Sequence, residues 1–358
     1  MQHTIKRKKT RQIKLGNLLI GGDAPISVQS MTNTDTSDID ATVQQIKELT
    51  EVGCEIVRVA VPDLQAAHAI KEICNQSLVP IIADIHFDYR LALESIKNNV
   101  AGIRLNPGNI GSEEKTEAVI KSAKEREIPI RIGVNAGSIS KALLKKHGGA
   151  TIDAMVESAL EHIAIVERYH YHNIKVSLKA SDIYRTVEAY RSMAKKVDYP
   201  LHIGVSEAGT YFSGTVKSSI GLGILLYEGI GDTLRVSLTG DPLEEVRVAY
   251  ELLKSLGIRQ KGINYISCPT CGRCEINLVE MANKVEQATA KIDKKITVAI
   301  MGCVVNGPGE AREADIGIAG GDGTALLFKD GEVIRKVSEE EMLQALLEEI
   351  ENYAVSKQ

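Results

Sequence analysis

Short runs of β-branched and aliphatic residues alternate with longer segments of helical periodicity from residue 26 onward. The apolar runs cover residues 26–31, 56–61, 80–85, 102–105, 130–134, 174–178, 201–205 and 234–238. Segments between them, such as 113–125 and 152–169, place apolar residues three and four positions apart, as helices covering a sheet do. Eight strand–helix units predict a closed (β/α)8 TIM-like barrel, and polar residues at nearly every strand end favour it over an open doubly wound sheet.

The length of the chain predicts a second domain after the barrel. Its 358 residues exceed the size at which one hydrophobic core usually suffices. We therefore expect an α/β protein in which residues 1–258 form the barrel and residues 259–358 form a smaller α/β domain.

Polar residues interrupt the predicted strands with a period of two, so those on one strand project to the same face. In a barrel that face lines the interior, and the carboxyl ends of the strands form the usual active-site mouth. The residues are Arg58, Asp84, His86, Arg104, Asn106, Arg131, Asn135, Lys179, Arg235 and Ser237, with Glu207 after the seventh strand.

Five of these side chains are cations and two are carboxylates, which leaves a formal excess of three positive charges in a partly desolvated cup. The planar guanidinium group suits phosphoryl oxygens, so several converging arginines predict a ligand with more than one phosphoryl group. Any single arginine could instead be paired inside the barrel. Five cations against two acids make that explanation hard to sustain for the whole set.

The composition is that of an ordinary globular protein, with 44% apolar and 25% charged residues and a formal net charge of −4. Acids and bases are mixed along the chain, and no apolar run could span a bilayer, so a nucleic-acid or membrane protein is not expected. The basic segment 6–11 lacks the apolar stretch of a secretion signal and is expected to be a solvated tail. We expect a cytoplasmic enzyme.

Four of the six cysteines lie in the last third of the chain, at Cys268, Cys271, Cys274 and Cys303. A C-x-x-C pair followed by a distant cysteine is metal-ligand spacing, and it fits zinc and an iron–sulfur cluster equally well. The bacterial ferredoxin pattern fails, because Leu278 stands where a fourth cysteine would be expected. Two other functions fit these features: a zinc-containing barrel lyase or aldolase acting on a phosphorylated metabolite, and a non-catalytic metal-binding scaffold, which the polar strand ends disfavour.

Four segments carry motifs that together resemble a single family. They read SCPTC at 267–271, GCVVNGPGE at 302–310, ADIHFD at 83–88 and NPGNIG at 106–111. The resemblance is to the 4-hydroxy-3-methylbut-2-enyl diphosphate synthases, the iron–sulfur enzymes of the non-mevalonate isoprenoid pathway, in their two-domain bacterial form. It covers essentially the whole chain after the first few residues.

The resemblance implies a reaction and its cofactor. The substrate would be 2-C-methyl-D-erythritol 2,4-cyclodiphosphate, which is reduced by two electrons and opened to (E)-4-hydroxy-3-methylbut-2-enyl diphosphate with loss of water. A [4Fe–4S] cluster would be held by Cys268, Cys271, Cys303 and Glu310, with Cys274 as a competing thiolate. No flavin or nicotinamide motif is evident in the sequence, so flavodoxin or ferredoxin would donate the electrons.

The resemblance also assigns roles within the barrel. The diphosphate would be held by Arg58, Arg104, Arg131, Lys179, Arg235 and Ser237, and the rest of the substrate would be oriented by Asp84, His86, Asn106 and Asn135. Apart from the resemblance, position favours Glu207 as the proton donor to the departing hydroxyl group, because it is the acid nearest the mouth at the seventh strand. A carboxylate ligand such as Glu310 is displaced more readily than a thiolate, which would open its iron to substrate oxygen.

A homodimer is expected, in which the cluster domain of one chain caps the barrel of the other. The last barrel helix must run back to the face opposite the active-site mouth. The connection 257–262 reaches at most roughly 20 Å when extended, which is short for a return along the barrel. A second chain removes this difficulty, and two-fold symmetry closes the assembly.

Overall fold

The computed structural model describes residues 5–303, 305 and 307–356. The chain folds as two compact units, Met1–Leu256 and Gly257–Gln358. The boundary expected from the sequence, between residues 258 and 259, lies two residues beyond this division.

An antiparallel hairpin, β1 (Ile13–Leu15) and β2 (Leu18–Ile20), precedes the barrel. Its buried apolar side chains form one cluster with Ile56 and Ile82, which lie in the amino-terminal halves of two barrel strands. The hairpin therefore covers the amino end of the barrel, opposite the expected active-site mouth. Nothing in the sequence analysis anticipated this hairpin, because its strands are only three residues long.

The basic segment ahead of the hairpin is not the solvated tail that the sequence predicted. Arg7 forms an ion pair of 3.0 Å with the buried carboxylate of Asp232, and the hydroxyl group of Thr10 donates to the same oxygen at 2.9 Å. Lys8 donates to the carbonyl oxygen of Val197 at 2.7 Å. The prediction was wrong because the acid that holds this segment lies more than 200 residues away in sequence.

In the described part of the first unit, eight parallel strands form the barrel. They are β3 (Ser27–Met31), β4 (Ile56–Ala60), β5 (Ile81–Asp84), β6 (Gly102–Arg104), β7 (Ile130–Asn135), β8 (Ile174–Lys179), β9 (His202–Ile203) and β10 (Thr233–Leu234). Strand β10 pairs with β3 and β9, and a bridge between Val176 and Leu201 joins β8 to the chain just before β9. The predicted barrel is confirmed, and the strands are buried along most of their length because helices cover their outer faces.

The covering helices begin and end close to the predicted positions. They are α1 (Ile39–Glu51), α2 (Leu64–Gln76), α3 (Tyr89–Lys97), α4 (Glu113–Glu125), α5 (Lys141–His147), α6 (Ile152–Arg168), α7 (Ile183–Lys196), α8 (Tyr211–Tyr227) and α9 (Pro242–Ser255). Many start at an aspartate whose carboxylate accepts a hydrogen bond from a backbone N–H of the first turn. These N-caps are Asp38, Asp63, Asp88, Asp182 and Asp241.

The second unit is a mixed sheet with helices on both faces. Its elements are β11 (Ile263–Ser267), α10 (Leu278–Thr289), β12 (Ile296–Met301), α11 (Gly307–Glu313), β13 (Ile316–Gly321), β14 (Thr324–Lys329), β15 (Glu332–Ser338) and α12 (Met342–Ser356). Strands β11, β12 and β13 are parallel, and β14 and β15 continue the sheet antiparallel. One face packs on α10 and α12, and the other packs on α11.

None of the described helices combines the length and the apolar character that crossing a membrane would require.

Candidate active site

A cavity of about 250 Å³ opens at the carboxyl ends of the barrel strands. Most of the polar residues predicted from the sequence line it, namely Arg58, Arg104, Arg131, Asn135, Lys179, Glu207, Arg235 and Ser237. Its wall also contains residues that the sequence analysis missed: Ser177, Ser206, Thr239 and Glu245. The predicted cup therefore exists, and its chemistry is set by how its charges are paired.

Asp84 pairs with two of the cations. Its carboxylate lies 3.2 Å from the Arg104 guanidinium group and 3.5 Å from Nε of Arg58, and the residue is 5% exposed. Burial alone would raise the pKa of Asp84, but the charges of the neighbouring arginines outweigh burial and hold this pKa below its usual value. His86 places Nδ1 3.2 Å from Arg104 NH1 at the exposed rim of the barrel. Asp84 thus fixes Arg58 and Arg104, and His86 supports Arg104 from the rim.

Asn106 joins strands instead of lining the cavity. Its side-chain amide donates to the carbonyl oxygen of Gly133 and accepts from the backbone N–H of the same residue, each at 2.9 Å. Gly133 is in turn packed against Arg104, because an added Cβ would lie 2.8 Å from Nε of that arginine. The structure gives Asn106 a part in shaping the wall, and its contact with a ligand stays a prediction.

Arg131 carries a charge that the surrounding protein does not balance. It is 2% exposed, and its buried Nε and NH1 atoms have no hydrogen-bond partner in the described part of the chain. Burial lowers the pKa of Arg131 well below its usual value, and the charges of Arg58 and Arg104 lower it further. A buried cation without a counter-charge is costly, so this position favours an anion.

Lys179 is in a similar situation. Its ammonium group lies 3.3 Å from Nε2 of His202, and it passes over Gly204, where an added Cβ would lie 2.5 Å from Nζ. Burial, followed by the nearby arginines, lowers the pKa of Lys179 well below its usual value. Burial, followed by the charges of Lys179 and Arg131, lowers the pKa of His202 well below its usual value, which favours the neutral imidazole beside the lysine.

Among the wall residues that the sequence did not predict, Glu245 is the charged one. It lies in the first turn of α9, is 3% exposed, and binds the Arg235 guanidinium group through both carboxylate oxygens at 3.0 Å. The available signal was its position on the apolar face of an amphipathic helix, beside Val246 and Ala249. With this third carboxylate, the formal excess in the cup is two positive charges instead of three.

The cysteines of the second unit lie near one edge of its sheet. Cys268 directly follows β11 and Cys303 closely follows β12, and these two strands are parallel neighbours. The backbone N–H of Glu275 donates to the carbonyl oxygen of Gly302 at 2.9 Å, which holds the two cysteine-bearing loops together. Cys271 is exposed on the first loop, and all six cysteines of the chain are thiols instead of disulfides.

These donors have the chemistry of an iron–sulfur site. The described residues contain no group of three His, Cys, Asp or Glu side chains placed to hold a single metal ion. Cys268, Cys271 and Cys303 offer sulfur ligands on two adjacent loops, and thiolates are the usual ligands of iron–sulfur clusters. Glu310 lies in α11, and Val304 and Asn306 of the GCVVNGPGE motif lie outside the described residues.

Cys274 is engaged elsewhere. Its thiol donates to the carbonyl oxygen of Ile276 at 3.4 Å and packs against the core of the second unit. An added Cβ on Gly302 would collide with the Cys274 sulfur, so the glycine leaves the room that this thiol occupies. The Cys274 thiol is therefore packed inside the second unit.

Comparisons with known proteins cover both units. Residues 10–250 match the GcpE TIM-barrel domain, and residues 264–352 match the GcpE protein C-terminal domain. The chain is 62% identical over 351 residues to the 4-hydroxy-3-methylbut-2-en-1-yl diphosphate synthase (flavodoxin) of Geobacter sulfurreducens, covering 98% of this chain and 99% of the relative. It is 59% identical over 347 residues to the Clostridium perfringens protein of the same name, covering 97% and 99%.

Solved structures support the barrel fold alone. Yersinia pestis dihydropteroate synthase matches with a TM-score of 0.50 and 12% identity, over 69% of this chain and 97% of that one. A truncated 3-deoxy-D-arabino-heptulosonate 7-phosphate synthase from Thermotoga maritima matches with a TM-score of 0.50 and 11% identity, over 70% and 95%.

Proposed function

Because the chain belongs to the GcpE family of 4-hydroxy-3-methylbut-2-en-1-yl diphosphate synthases, we propose that its barrel cavity binds 2-C-methyl-D-erythritol 2,4-cyclodiphosphate. The enzyme is an iron–sulfur oxidoreductase of isoprenoid biosynthesis that reduces and opens this ring to (E)-4-hydroxy-3-methylbut-2-enyl diphosphate. The zinc-containing lyase or aldolase considered above is not favoured, because the relatives of this chain are named as diphosphate synthases and not as lyases or aldolases.

The unbalanced charge of the cup is the observation that carries the substrate assignment. Five cations face three carboxylates, and Arg131 and Lys179 have no acidic partner in the described chain. A bridging diphosphate supplies the missing negative charge and accepts several hydrogen bonds from guanidinium groups at once. Ser237 and Asn135 add neutral polar groups to the same wall.

Glu207 is the proposed proton donor to the departing hydroxyl group. It lines the cavity, and its carboxylate has no hydrogen-bond partner within the described residues, so it is available to substrate. Its backbone adopts a left-handed conformation with φ 53°. Such a conformation costs a non-glycine residue on the order of 1–3 kcal/mol, and strain of this kind concentrates at functional sites.

We assign the ligands of a [4Fe–4S] cluster to Cys268, Cys271, Cys303 and Glu310. When bound, the cluster supplies the electrons for the reduction. Glu310 would hold its iron through oxygen, a ligand that substrate oxygen displaces more readily than a thiolate. The names of the relatives include flavodoxin, which supports flavodoxin as the electron donor here, with ferredoxin as the alternative. A soluble donor of this kind supports a cytoplasmic location.

The homodimer is also a proposal, and helix α8 supports it. Exposed apolar side chains repeat along one face of α8 at intervals of four and three residues, and they are Phe212, Val216, Ile220, Ile224 and Tyr227. The opposite face is also apolar and buried in the barrel. A helix with apolar side chains on its exposed face as well as on its buried face is normally covered on both, and a two-fold axis would place the same stripe of a second chain against the exposed one.

Product formation tests the function. Protein purified and reconstituted without oxygen should convert the cyclic diphosphate to the allylic diphosphate when reduced flavodoxin is supplied. Zinc in place of iron and acid-labile sulfide in the purified protein would favour the lyase alternative.

A further inference from the structure

We infer that Glu245 is a positioning residue that fixes the Arg235 guanidinium group for the diphosphate. The inference rests on the proposed function, because it takes the cup as the substrate site. Glu245 itself lies in the cavity wall, so its presence beside a dianionic ligand requires a physical reason.

The hydrogen bonds of Glu245 saturate its carboxylate. Oε1 accepts from Arg235 NH2 at 3.0 Å and from the backbone N–H of Leu238 at 3.1 Å. Oε2 accepts from Arg235 Nε at 3.0 Å and from the hydroxyl group of Ser30 at 2.8 Å. A carboxylate has about four lone-pair sites, and all four are in use.

A saturated carboxylate cannot serve as a proton donor or bind a substrate hydroxyl group without losing an existing bond. Glu207 has none of these commitments in the described structure, so the two acids of the cavity have different tasks. Glu245 acts on the protein, and Glu207 is free to act on the substrate.

The bonds of Glu245 determine which edge of Arg235 remains available. The paired contacts use Nε and one N–H of NH2, and they fix the plane of the guanidinium group. The remaining N–H groups lie on the edge that includes NH1, which is 3.7 Å from the Met31 sulfur. Met31 is an uncharged neighbour, so this edge keeps its capacity for an anion.

Glu245 also ties together the elements around the arginine. Through Ser30 it binds β3, and through Leu238 it binds the loop that carries Ser237. A single buried side chain of α9 therefore sets the position of two predicted diphosphate ligands, Arg235 and Ser237. The carboxylate reduces the positive charge of the cup by one, which weakens its attraction for an anion. In return, Arg235 and Ser237 are held in fixed positions before the substrate binds.

Kinetics of variant enzymes test this inference. Glu245→Gln should raise KM for the cyclic diphosphate about tenfold. The amide group of glutamine replaces one acceptor oxygen with an NH2 group, which cannot accept the hydrogen bonds that Arg235 and its neighbours donate to the carboxylate. The cluster absorbance should be unchanged. Glu244→Gln is the matched control, since Glu244 lies on the same turn and pairs with Arg247 outside the cavity, and its KM should equal that of the wild type.

A double-mutant cycle with Arg235→Ala separates positioning from a general structural effect. If Glu245 acts chiefly through Arg235, Glu245→Gln should raise KM much less once Arg235 is alanine, and only the smaller effect through Leu238 and Ser237 should remain. An equal effect of Glu245→Gln in both backgrounds would overturn the inference. An unchanged KM in Arg235→Ala alone would instead contradict the proposed substrate site.

Arg235→Lys provides a second route if Glu245→Gln does not fold. Lysine keeps the charge but cannot form the paired bonds to the carboxylate. KM should rise about tenfold in this variant as well, and an unchanged KM would show that the fixed plane of the guanidinium group is unimportant.

Discussion

At the scale of single residues, the chain separates cations that are paired from cations that are not. Asp84 binds Arg58 and Arg104, and Glu245 binds Arg235, so these arginines are held in place before any ligand arrives. Arg131 has no such partner in the described residues. The cup therefore combines preorganised hydrogen-bond donors with a charge that only a ligand can balance, which is how a site gains affinity for a small dianion.

Cys274 provides a prediction at this scale. Cys274→Ser should retain the cluster, because this thiol is packed against Gly302 and donates to Ile276 instead of facing a metal. Cys303→Ser should lose the cluster. Iron and sulfide content and the visible absorption of anaerobically reconstituted protein measure both outcomes. Loss of iron in Cys274→Ser, with retention in Glu310→Ala, would exchange the roles of these two residues.

At the scale of elements, the glycine of β7 makes room for an arginine of β6. Gly133→Ala would place a methyl group 2.8 Å from Arg104 Nε, while Asp84 and the Gly133 carbonyl oxygen hold the same guanidinium group in place. The arginine must shift and lose at least one of these bonds. We expect KM for the cyclic diphosphate to rise up to about tenfold, the effect of one charge-assisted hydrogen bond.

The control for this prediction lies in the loop that follows β7. Gly137 has no atom within 4 Å of an added Cβ, so Gly137→Ala should leave KM unchanged. Steady-state kinetics at matched iron content compare the two variants. Equal KM values for Gly133→Ala and the wild type would show that Arg104 has more freedom than its contacts indicate.

Helices and strands were predictable from the sequence where apolar residues recur at a regular spacing. All eight barrel strands were found within a few residues of their predicted bounds, because apolar runs and helical stripes repeat along the chain. The period-two placement of residues such as Arg131 and Asn135 correctly placed them inside the cup. The β1–β2 hairpin was missed because a strand of three residues is too short to show a repeating pattern of apolar and polar positions.

Contacts between distant residues were not predictable in this way. The partner of Arg7 is Asp232, and the partner of Arg235 is Glu245. Glu245 lies on an amphipathic helix that carries other glutamates, and nothing in the sequence marks it as the buried one. A charged residue in a sequence does not reveal whether it is paired, and so the sequence overestimated the excess charge of the cup. Only the folded structure decides which acids reach the interior.

At the scale of the whole molecule, the proposed dimer predicts complementation between two inactive chains. A Cys303→Ser chain lacks the cluster, and an Arg131→Ala chain has a defective cup. If the cluster of one chain serves the barrel of the other, a mixed dimer contains one intact composite site and regains activity. Mixing the two proteins under conditions where subunits exchange, and then measuring turnover, gives the result.

Exchange must be verified in the same sample, for example by mass spectrometry of the mixed dimer. Confirmed exchange without recovered activity would show that each active site is built within one chain.

Separately, Ile220→Glu on the exposed stripe of α8 should yield monomers in sedimentation experiments, because it places charge in the apolar contact.

Arg131, a buried cation without an acidic partner in the described residues, is proposed to bind the diphosphate group of the substrate, whose ring is opened by reduction at the iron–sulfur site. The most direct test is the steady-state kinetics of Arg131→Ala at the same iron and sulfide content as the wild type, with reduced flavodoxin and the cyclic diphosphate. We predict that the variant needs at least about tenfold more substrate for half-maximal rate, since a charge-assisted contact is worth about 1.5–3 kcal/mol. An unchanged KM would show that Arg131 does not bind the substrate, and a wild-type protein with its full iron content that forms no allylic diphosphate would contradict the proposed function.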